Sequence, residues 1–338
     1  MATTAATPRA RRYRTIRILR WVLIIFFPIL VVVVAFALLR PLDVLWTAAE
    51  FRLFFQGIQS KYTPIPVPGV GNVRVHYYEG GSGMPVVLVH GLGGRADDWV
   101  NLIPQLARDH HHVYALDLPG YGRSEWPRNA KYSIAEEAAD VEGFMSKMGL
   151  QQTDLAGWSM GGWVAMQVAL NEPQRIRRLV IFDSAGLTFG LTWDPSLFVP
   201  DTPEKLQKLD DLLLPSGKAP GVPRFVQRAI FNFEKKHGWV VQRNMDSMLT
   251  GDDLLDNKLG ALKMPMLIIW GKQDHLIPVS EGEAIHHAVP QSELQVFDGC
   301  GHLLPEQCAK QVAPVVKGFL DESSPMGGRK AVIGPKAK

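Results

Sequence analysis

Residues 157–161 read Gly-Trp-Ser-Met-Gly, and of the side chains able to act as a nucleophile Ser159 has the best surroundings. Thr153 to Ala156 precede it with the pattern of a short strand, and good helix formers follow from Met160 to Leu170. A serine placed there occupies a strained strand-to-helix turn, because Gly157 and Gly161 remove the Cβ atoms that would collide with neighbouring backbone. The turn holds the hydroxyl up at its tip. The N–H of Met160, at the start of the helix, faces the same space and can stabilise negative charge developing on a substrate oxygen.

A serine hydroxyl needs a base to take its proton. Of the 10 histidines, His302 stands apart, in Asp298-Gly-Cys-Gly-His-Leu-Leu-Pro-Glu, a glycine-rich loop just past the alternating strand Glu293 to Phe297. His110, His111 and His112 read as a solvated loop before the strand Val113 to Leu116, with no cysteine or carboxylate at metal-ligand spacing. His286 and His287 read as surface or partly packed residues of a helix. The imidazole in turn needs a carboxylate to fix its tautomer and stabilise the imidazolium. Asp274 follows a fully apolar strand and a glycine turn in Met266-Leu-Ile-Ile-Trp-Gly-Lys-Gln-Asp, whereas Asp183 closes the strand Leu179 to Phe182. Asp274 is favoured, with Asp183 left as the competing acid.

A fourth block supplies donors for an oxyanion. The apolar strand Met84 to Val89 ends in His90-Gly-Leu-Gly-Gly, whose Leu92 N–H would pair with that of Met160. His90 then shapes the loop and is not a second base. The turn-rich block Asp117-Leu-Pro-Gly-Tyr-Gly-Arg-Ser is given a structural role.

With these blocks in chain order Ser159, Asp274, His302, the sequence resembles the α/β-hydrolase superfamily from about Val67 to Leu320. Within it the chain looks most like membrane-anchored monoacylglycerol lipases and related bacterial lipases and esterases, on Gly157-Trp-Ser-Met-Gly-Gly, Asp183-Ser-Ala-Gly-Leu, Ile269-Trp-Gly-Lys-Gln-Asp and Gly299-Cys-Gly-His. The resemblance implies a Ser159, Asp274, His302 triad, backbone donors at Leu92 and Met160, and neither cofactor nor metal. It argues against the dehalogenases and epoxide hydrolases of the same fold, which carry an aspartate where this chain has Ser159. The fold it implies is a mostly parallel central sheet with helices on both faces and a helical cap.

The elements that must position these residues follow from the rest of the chain. Its 338 residues suffice for one large α/β domain with an insertion and tails, here 67–320 with a cap insertion at about 187–262. In that insertion Pro203 to Leu214 and Val222 to Phe233 read as amphipathic helices that roof the site. The net charge of +3 makes no case for nucleic acid. The charge is unevenly placed: Arg9, Arg11, Arg12, Arg14, Arg17 and Arg20 crowd a basic segment, 1–20, and Trp21 to Leu39 carry no charge. At helical rise that uncharged run spans about 28 Å, close to the hydrocarbon thickness of a bilayer. The expectation is a single-pass transmembrane anchor at 21–39, its N-terminus cytoplasmic by the positive-inside rule and the hydrolase on the periplasmic or extracytoplasmic side. The basic N-terminus departs from the animal members of the lipase group.

Residues 41–66 read as a juxtamembrane helix and linker; the helix, through Leu42, Leu45, Trp46, Ala49 and Leu53, either packs on the catalytic domain or, the favoured reading, lies in the membrane interface. A stiff, proline-bearing linker over Lys61 to Gly71 then leads to the first strand. From 321 to 338 the composition reads as a disordered tail. Cys300 and Cys308 are expected as free thiols, because a bond between them would constrain the loop of His302.

The activity expected is that of a serine carboxylic ester hydrolase acting on lipid-like monoesters such as monoacylglycerols, with a small-molecule substrate and the membrane as partners. A serine hydrolase cleaving a carbon–carbon bond, a lactone or an amide is the first alternative. A non-enzymatic, membrane-tethered binding protein is the second.

Overall fold

The computed structural model describes residues 8–108, 110–215, 221–322 and 328–334, with side chains from Arg20 onward except those of 22 and 23. Two helices come first, α1 (Pro8–Leu39) and α2 (Pro41–Phe54). Then follow β1 (Gln59–Val67), β2 (Gly71–Gly81), β3 (Met84–Val89), α3 (Ile103–Ala107), β4 (His111–Leu116), α4 (Ile134–Lys147), β5 (Thr153–Trp158), α5 (Met160–Asn171) and β6 (Ile176–Phe182). Helices α6 (Pro203–Leu213) and α7 (Arg224–Thr250) intervene before β7 (Met266–Gly271) and α8 (Val279–Ala288). The chain continues with β8 (Glu293–Phe297), α9 (Leu304–Gln307), α10 (Ala309–Asp321) and β9 (Lys330–Ile333).

The strands form one sheet in the order β1-β2-β4-β3-β5-β6-β7-β8-β9. Only the β1–β2 and β2–β4 pairs are antiparallel. Strands β3, β5 and β7 are apolar runs because both of their faces are covered. Val87, Val89, Leu155 and Ile181 pack with Phe144 of α4, Val164 of α5 and Ile285 of α8. The alternate side chains Val86, Leu88, Val180 and Phe182 pack with Leu106 of α3 and Val316 and Phe319 of α10. Because β3 and β5 to β8 run parallel, the loops leaving their C-terminal ends all open on one edge of the sheet. This edge receives Ser159, Asp183, Asp274, His302 and the loop of Leu92, and ligands of open α/β sheets bind along it.

The sheet is longer at both ends than the sequence suggests. Lys61 to Val67, expected as a linker, belongs to β1, which pairs along its whole length with β2. Pro64 and Pro66 are tolerated because β1 is the edge strand, where a missing N–H leaves no neighbour unpaired. The catalytic domain therefore starts at Gln59 rather than 67. In the expected tail, Lys330–Ile333 forms β9 beside β8, held by ion pairs from Arg329 to Glu293 and Lys330 to Glu283. Residues 323–327 and 335–338 of that tail lie outside the described residues, as do 1–7 of the basic segment and the arginine side chains up to Arg17. His111 and His112 are not in a solvated loop but begin β4, and His112 meets Glu79 across the sheet at 2.8 Å.

The expected anchor, 21–39, falls within α1, and its described side chains from Trp21 to Leu39 are mostly exposed. No single helix among the described residues is long and apolar enough to cross a membrane. The pair Ile24–Leu39 and Pro41–Phe54 would be, but it bends by 105°. Helix α2 packs on the hydrolase domain through one face: Leu53 is buried, the Trp46 ring stacks under Arg95 at 3.9 Å, and the Trp46 carbonyl accepts from Arg123. Its Leu45, Phe51 and Phe54, with Phe55 beyond it, point outward. The helical insertion is present between β6 and β7, with one difference: α7 runs to Thr250, where Gly251 in the left-handed region ends it. Gly238 masks that continuity in the sequence. A Cβ at Gly238 would stand 2.7 Å from Val199, so the glycine lets α7 pack closely against the segment before α6.

Candidate active site

The nucleophile candidate is built first by backbone strain. Ser159 has φ 57° and ψ −121°, in the left-handed half of the map, where L-residues are rarely held. Its N–H donates to the Phe182 carbonyl at 2.9 Å, which ties the turn to β6. The flanking glycines are obligatory: a Cβ on Gly157 would lie 2.0 Å from the Gly161 carbonyl, and one on Gly161 would lie 2.3 Å from that of Val89.

His302 reaches the turn from the loop after β8. Its Nε2 lies 2.9 Å from Ser159 Oγ, and its Nδ1 lies 2.7 Å from Asp274 Oδ2. A carboxylate only accepts, so Nδ1 carries the proton and Nε2 presents its lone pair to the hydroxyl. Asp274 Oδ1 accepts from the N–H groups of Leu276 and Ile277 at 2.8 and 2.9 Å, so the carboxylate is held against rotation. Three side chains far apart in the sequence thus form one hydrogen-bonded line, and all three are buried.

The competing acid is close but differently engaged. Asp183 is fully buried with φ 42°, its Oδ1 accepts from Gly271 N–H at 2.7 Å, and its Oδ2 has no partner. Burial, and then repulsion from Asp274, push its carboxyl well above the usual range. Asp183, Asp274 and His302 carry donor atoms within 4.8 Å of one another, spacing that would suit a metal. The Nδ1–H of His302 is already committed to Asp274, so the set is arranged for a proton rather than a cation.

Leu92 and Met160 are the residues expected to supply the oxyanion donors. Both line the cavity that contains Ser159, and neither backbone N–H donates to another described residue. Gly91 brings the loop in: a Cβ there would stand 3.0 Å from Ser159 Cβ. His90 shapes this loop as expected. Its Nδ1 donates to the Gly91 carbonyl at 2.8 Å and its Nε2 accepts from Leu118 N–H at 3.2 Å, while burial lowers its pKa and keeps it neutral. The block beginning at Asp117 is likewise structural, for Asp117 binds buried His76 at 2.7 Å and the N–H groups of Ala96 and Arg123.

Two features are not legible in the motifs. Trp158 Nε1 donates to the His302 carbonyl at 2.7 Å, and His302 N–H donates to the Leu213 carbonyl at the end of α6, so the cap itself holds the base. The second corrects an expectation: Cys300 and Cys308 are not free thiols but a disulfide. The single turn of α9 folds the chain back until their Cα atoms are 6.3 Å apart, within bonding range.

The cavity beside Ser159 has a volume of about 240 Å³ and is walled by apolar side chains, among them Trp163, Leu187, Phe198, Met245 and Leu254. Among the described residues, Ser159 and Thr188 supply its only side-chain hydroxyls, and no lysine, arginine, histidine, asparagine or glutamine lines it. The indole N–H groups of Trp163 and Trp193 are spent on the carbonyls of Asp253 and Leu276.

The alpha/beta hydrolase fold family model matches residues 84–237 and 250–307. The chain is 28% identical over 271 residues to a 2-hydroxymuconate semialdehyde hydrolase of a Pseudomonas species, covering 74% of this chain and 92% of that protein. It is also 28% identical over 284 residues to a 2-hydroxy-6-oxononadienedioate/2-hydroxy-6-oxononatrienedioate hydrolase of Paraburkholderia phymatum, covering 78% and 96%. Among solved structures it superposes on a bacterial membrane phospholipase A with TM-score 0.73 at 24% identity, covering 90% of this chain and all of that one. A 2-hydroxy-6-oxo-6-phenylhexa-2,4-dienoate hydrolase of a Rhodococcus strain gives 0.67 at 22%, covering 78% and 100%. With more than half its length matched by that family's model, the chain belongs to the alpha/beta hydrolase fold family and is a serine hydrolase.

Proposed function

We propose that the protein is a carboxylic ester hydrolase that cleaves lipid-like monoesters through an acyl-enzyme. Ser159 Oγ attacks the ester carbonyl as His302 Nε2 takes its proton, and Asp274 stabilises the imidazolium. The carbonyl oxygen becomes an oxyanion held by the N–H groups of Leu92 and Met160. His302 returns the proton to the leaving alcohol. It then deprotonates a water, which attacks the acyl-enzyme and releases the acid and Ser159.

The observation that carries this reading is the lining of the cavity. The curated relatives are named for dienoates and dienedioates, which bear carboxylates, or for a muconate semialdehyde. A buried carboxylate requires a cation or several hydrogen-bond donors. Apart from Ser159 and the two backbone N–H groups assigned to the oxyanion, the described wall offers only the Thr188 hydroxyl and no cation, whereas apolar surface on this scale suits an acyl chain. The relatives favour a second reading, hydrolysis of a carbon–carbon bond in a ring-fission product, which the same triad can serve. One panel separates the two: p-nitrophenyl esters of graded acyl length against a 2-hydroxy-6-oxo-dienoate, each with wild type and Ser159→Ala. Higher kcat/KM on the dienoate, or ester turnover that survives the substitution, would overturn the ester reading.

The same proposal places the protein at a membrane, anchored by α1 with its basic end in the cytoplasm and the catalytic domain on the other side. The exposed apolar side chains of α1 and the outward aromatic residues of α2 support anchoring. The Cys300–Cys308 disulfide supports an oxidising compartment for the domain. Protease protection in spheroplasts, with a tag at each end, tests the orientation.

A further inference from the structure

A second cavity, of about 190 Å³, lies on the far side of the oxyanion loop and has no part in the steps above. Three segments distant in the sequence enclose it: Trp46 of α2, Gly93 to Arg95 of the loop, and Phe233, Glu234 and His237 of α7, with Trp126 closing the wall. Its aromatic rings stand together. Trp46 meets Phe233 at 5.5 Å between centroids, Trp126 meets Phe233 at 6.2 Å, and Trp126 meets His237 at 4.4 Å.

Glu234 sits in this wall without a hydrogen bond or ion pair to any described residue, and burial alone pushes its carboxyl up to about 7. The cations nearby do not serve it. Arg95 lines the cavity with its Nε 2.8 Å from Asp97 Oδ2 and its guanidinium stacked on Trp46, its Nη2 being buried without a hydrogen-bond partner, and it makes no ion pair with Glu234. His237 is held neutral by burial and by nearby Lys236. Glu234 is partly buried, and a carboxylate that has lost part of its water without gaining a partner is stabilised by an arriving cation. A carboxylate among aromatic faces is also the arrangement that recognises an alkylammonium, the charge meeting the carboxylate and the N-methyl or methylene groups meeting the rings.

The two cavities are neighbours. Leu92 lines the catalytic one and Gly93 the second, while on α7 Val241 lines the second and Met245, one turn on, lines the first. We infer that the second cavity binds the alkylammonium headgroup of a monoacyl lipid whose ester carbonyl lies at Ser159 and whose acyl chain fills the apolar cavity. This inference rests on the ester-hydrolase reading and narrows its substrate class.

The test compares a lysophosphatidylcholine, a lysophosphatidylglycerol and a monoacylglycerol of one acyl length, using the full chain in detergent micelles. Wild type is expected to prefer the choline lipid, and in Glu234→Gln the kcat/KM ratio of choline lipid to monoacylglycerol is expected to fall about tenfold. Trp126→Leu, which keeps the carboxylate, should lower the same ratio. A ratio unmoved by both variants overturns the headgroup site while leaving ester hydrolysis standing. Absence of any Ser159-dependent ester turnover would instead sink the parent reading. Binding is read without catalysis by titrating tetramethylammonium into Ser159→Ala and following tryptophan fluorescence. Saturation there and its loss on adding Glu234→Gln are expected, and equal titration of both proteins would refute the site. Saturation by tetramethylammonium without any preference for the choline lipid would mean that the site takes a free amine, which overturns the headgroup assignment.

Discussion

The disulfide between Cys300 and Cys308 brackets His302, so the residue that must deprotonate Ser159 sits inside a covalently closed loop. The loop is tied again by Trp158 Nε1 on the His302 carbonyl and by His302 N–H on Leu213 of α6. The position of the imidazole therefore depends on a cross-link, a core indole and the cap together.

Cleaving that cross-link is expected to loosen the base before it unfolds the sheet. Closing a loop with a sequence separation of 8 restricts the unfolded chain by about 2–3 kcal/mol. Cys300→Ser/Cys308→Ser should lower Tm accordingly and reduce kcat more than it raises KM. Thiol titration of the unreduced wild type should find no free thiol. Two reactive thiols under non-reducing conditions would contradict the pairing.

The choice between the two acids is tested by paired amides. Asp274→Asn removes the charge facing His302 Nδ1–H and should cost about 10⁴-fold in kcat. Asp183→Asn removes a carboxyl that makes no hydrogen bond to His302 and preserves an acceptor for Gly271 N–H. Its kcat should stay within about tenfold of wild type. Equal losses would return Asp183 to contention.

The glycine before the nucleophile admits no side chain. In Gly157→Ala the new Cβ would sit 2.0 Å from a backbone carbonyl that cannot rotate away. A loss of more than about 4 kcal/mol is expected, read as a drop in soluble, fluorophosphonate-reactive protein. Wild-type yield and labelling would show that the turn has more room.

Buried carboxyls make stability fall as pH rises. Burial pushes Glu137 up to about 8, and burial with repulsion from Glu137 and Glu136 pushes Asp140 up to about 9. The folded chain therefore holds protons that the unfolded chain has already released near neutrality. Their contribution is whole below about pH 4 and is lost as pH climbs through about 8 to 9. Glu137→Gln keeps an acceptor for Asn244 Nδ2, now at 3.0 Å, and removes the ionisation. Its Tm advantage over wild type should widen from acidic to alkaline buffer. An advantage independent of pH would reject the assignment.

What the sequence determined by itself is the local chemistry. Gly157-Trp-Ser-Met-Gly specifies its own turn, because only glycine fits the two flanking positions, and the apolar runs of β3, β5 and β7 specify buried parallel strands. The apolar strand and glycine turn before Asp274 were enough to favour it over Asp183, and the loops after β3 and β5 pointed to Leu92 and Met160. Other features are relations between segments and leave little local trace. The prolines of β1 look like a linker until β2 is seen beside it, and β9 looks like tail until β8 offers a free edge. Cys300 and Cys308 pair only because α9 turns the chain back, and Glu234 is isolated only because α2, the loop at Gly93 and α7 close around it. Backbone geometry is encoded by neighbouring residues, but burial, pairing and the proton affinity of a carboxyl depend on what distant segments bring to it.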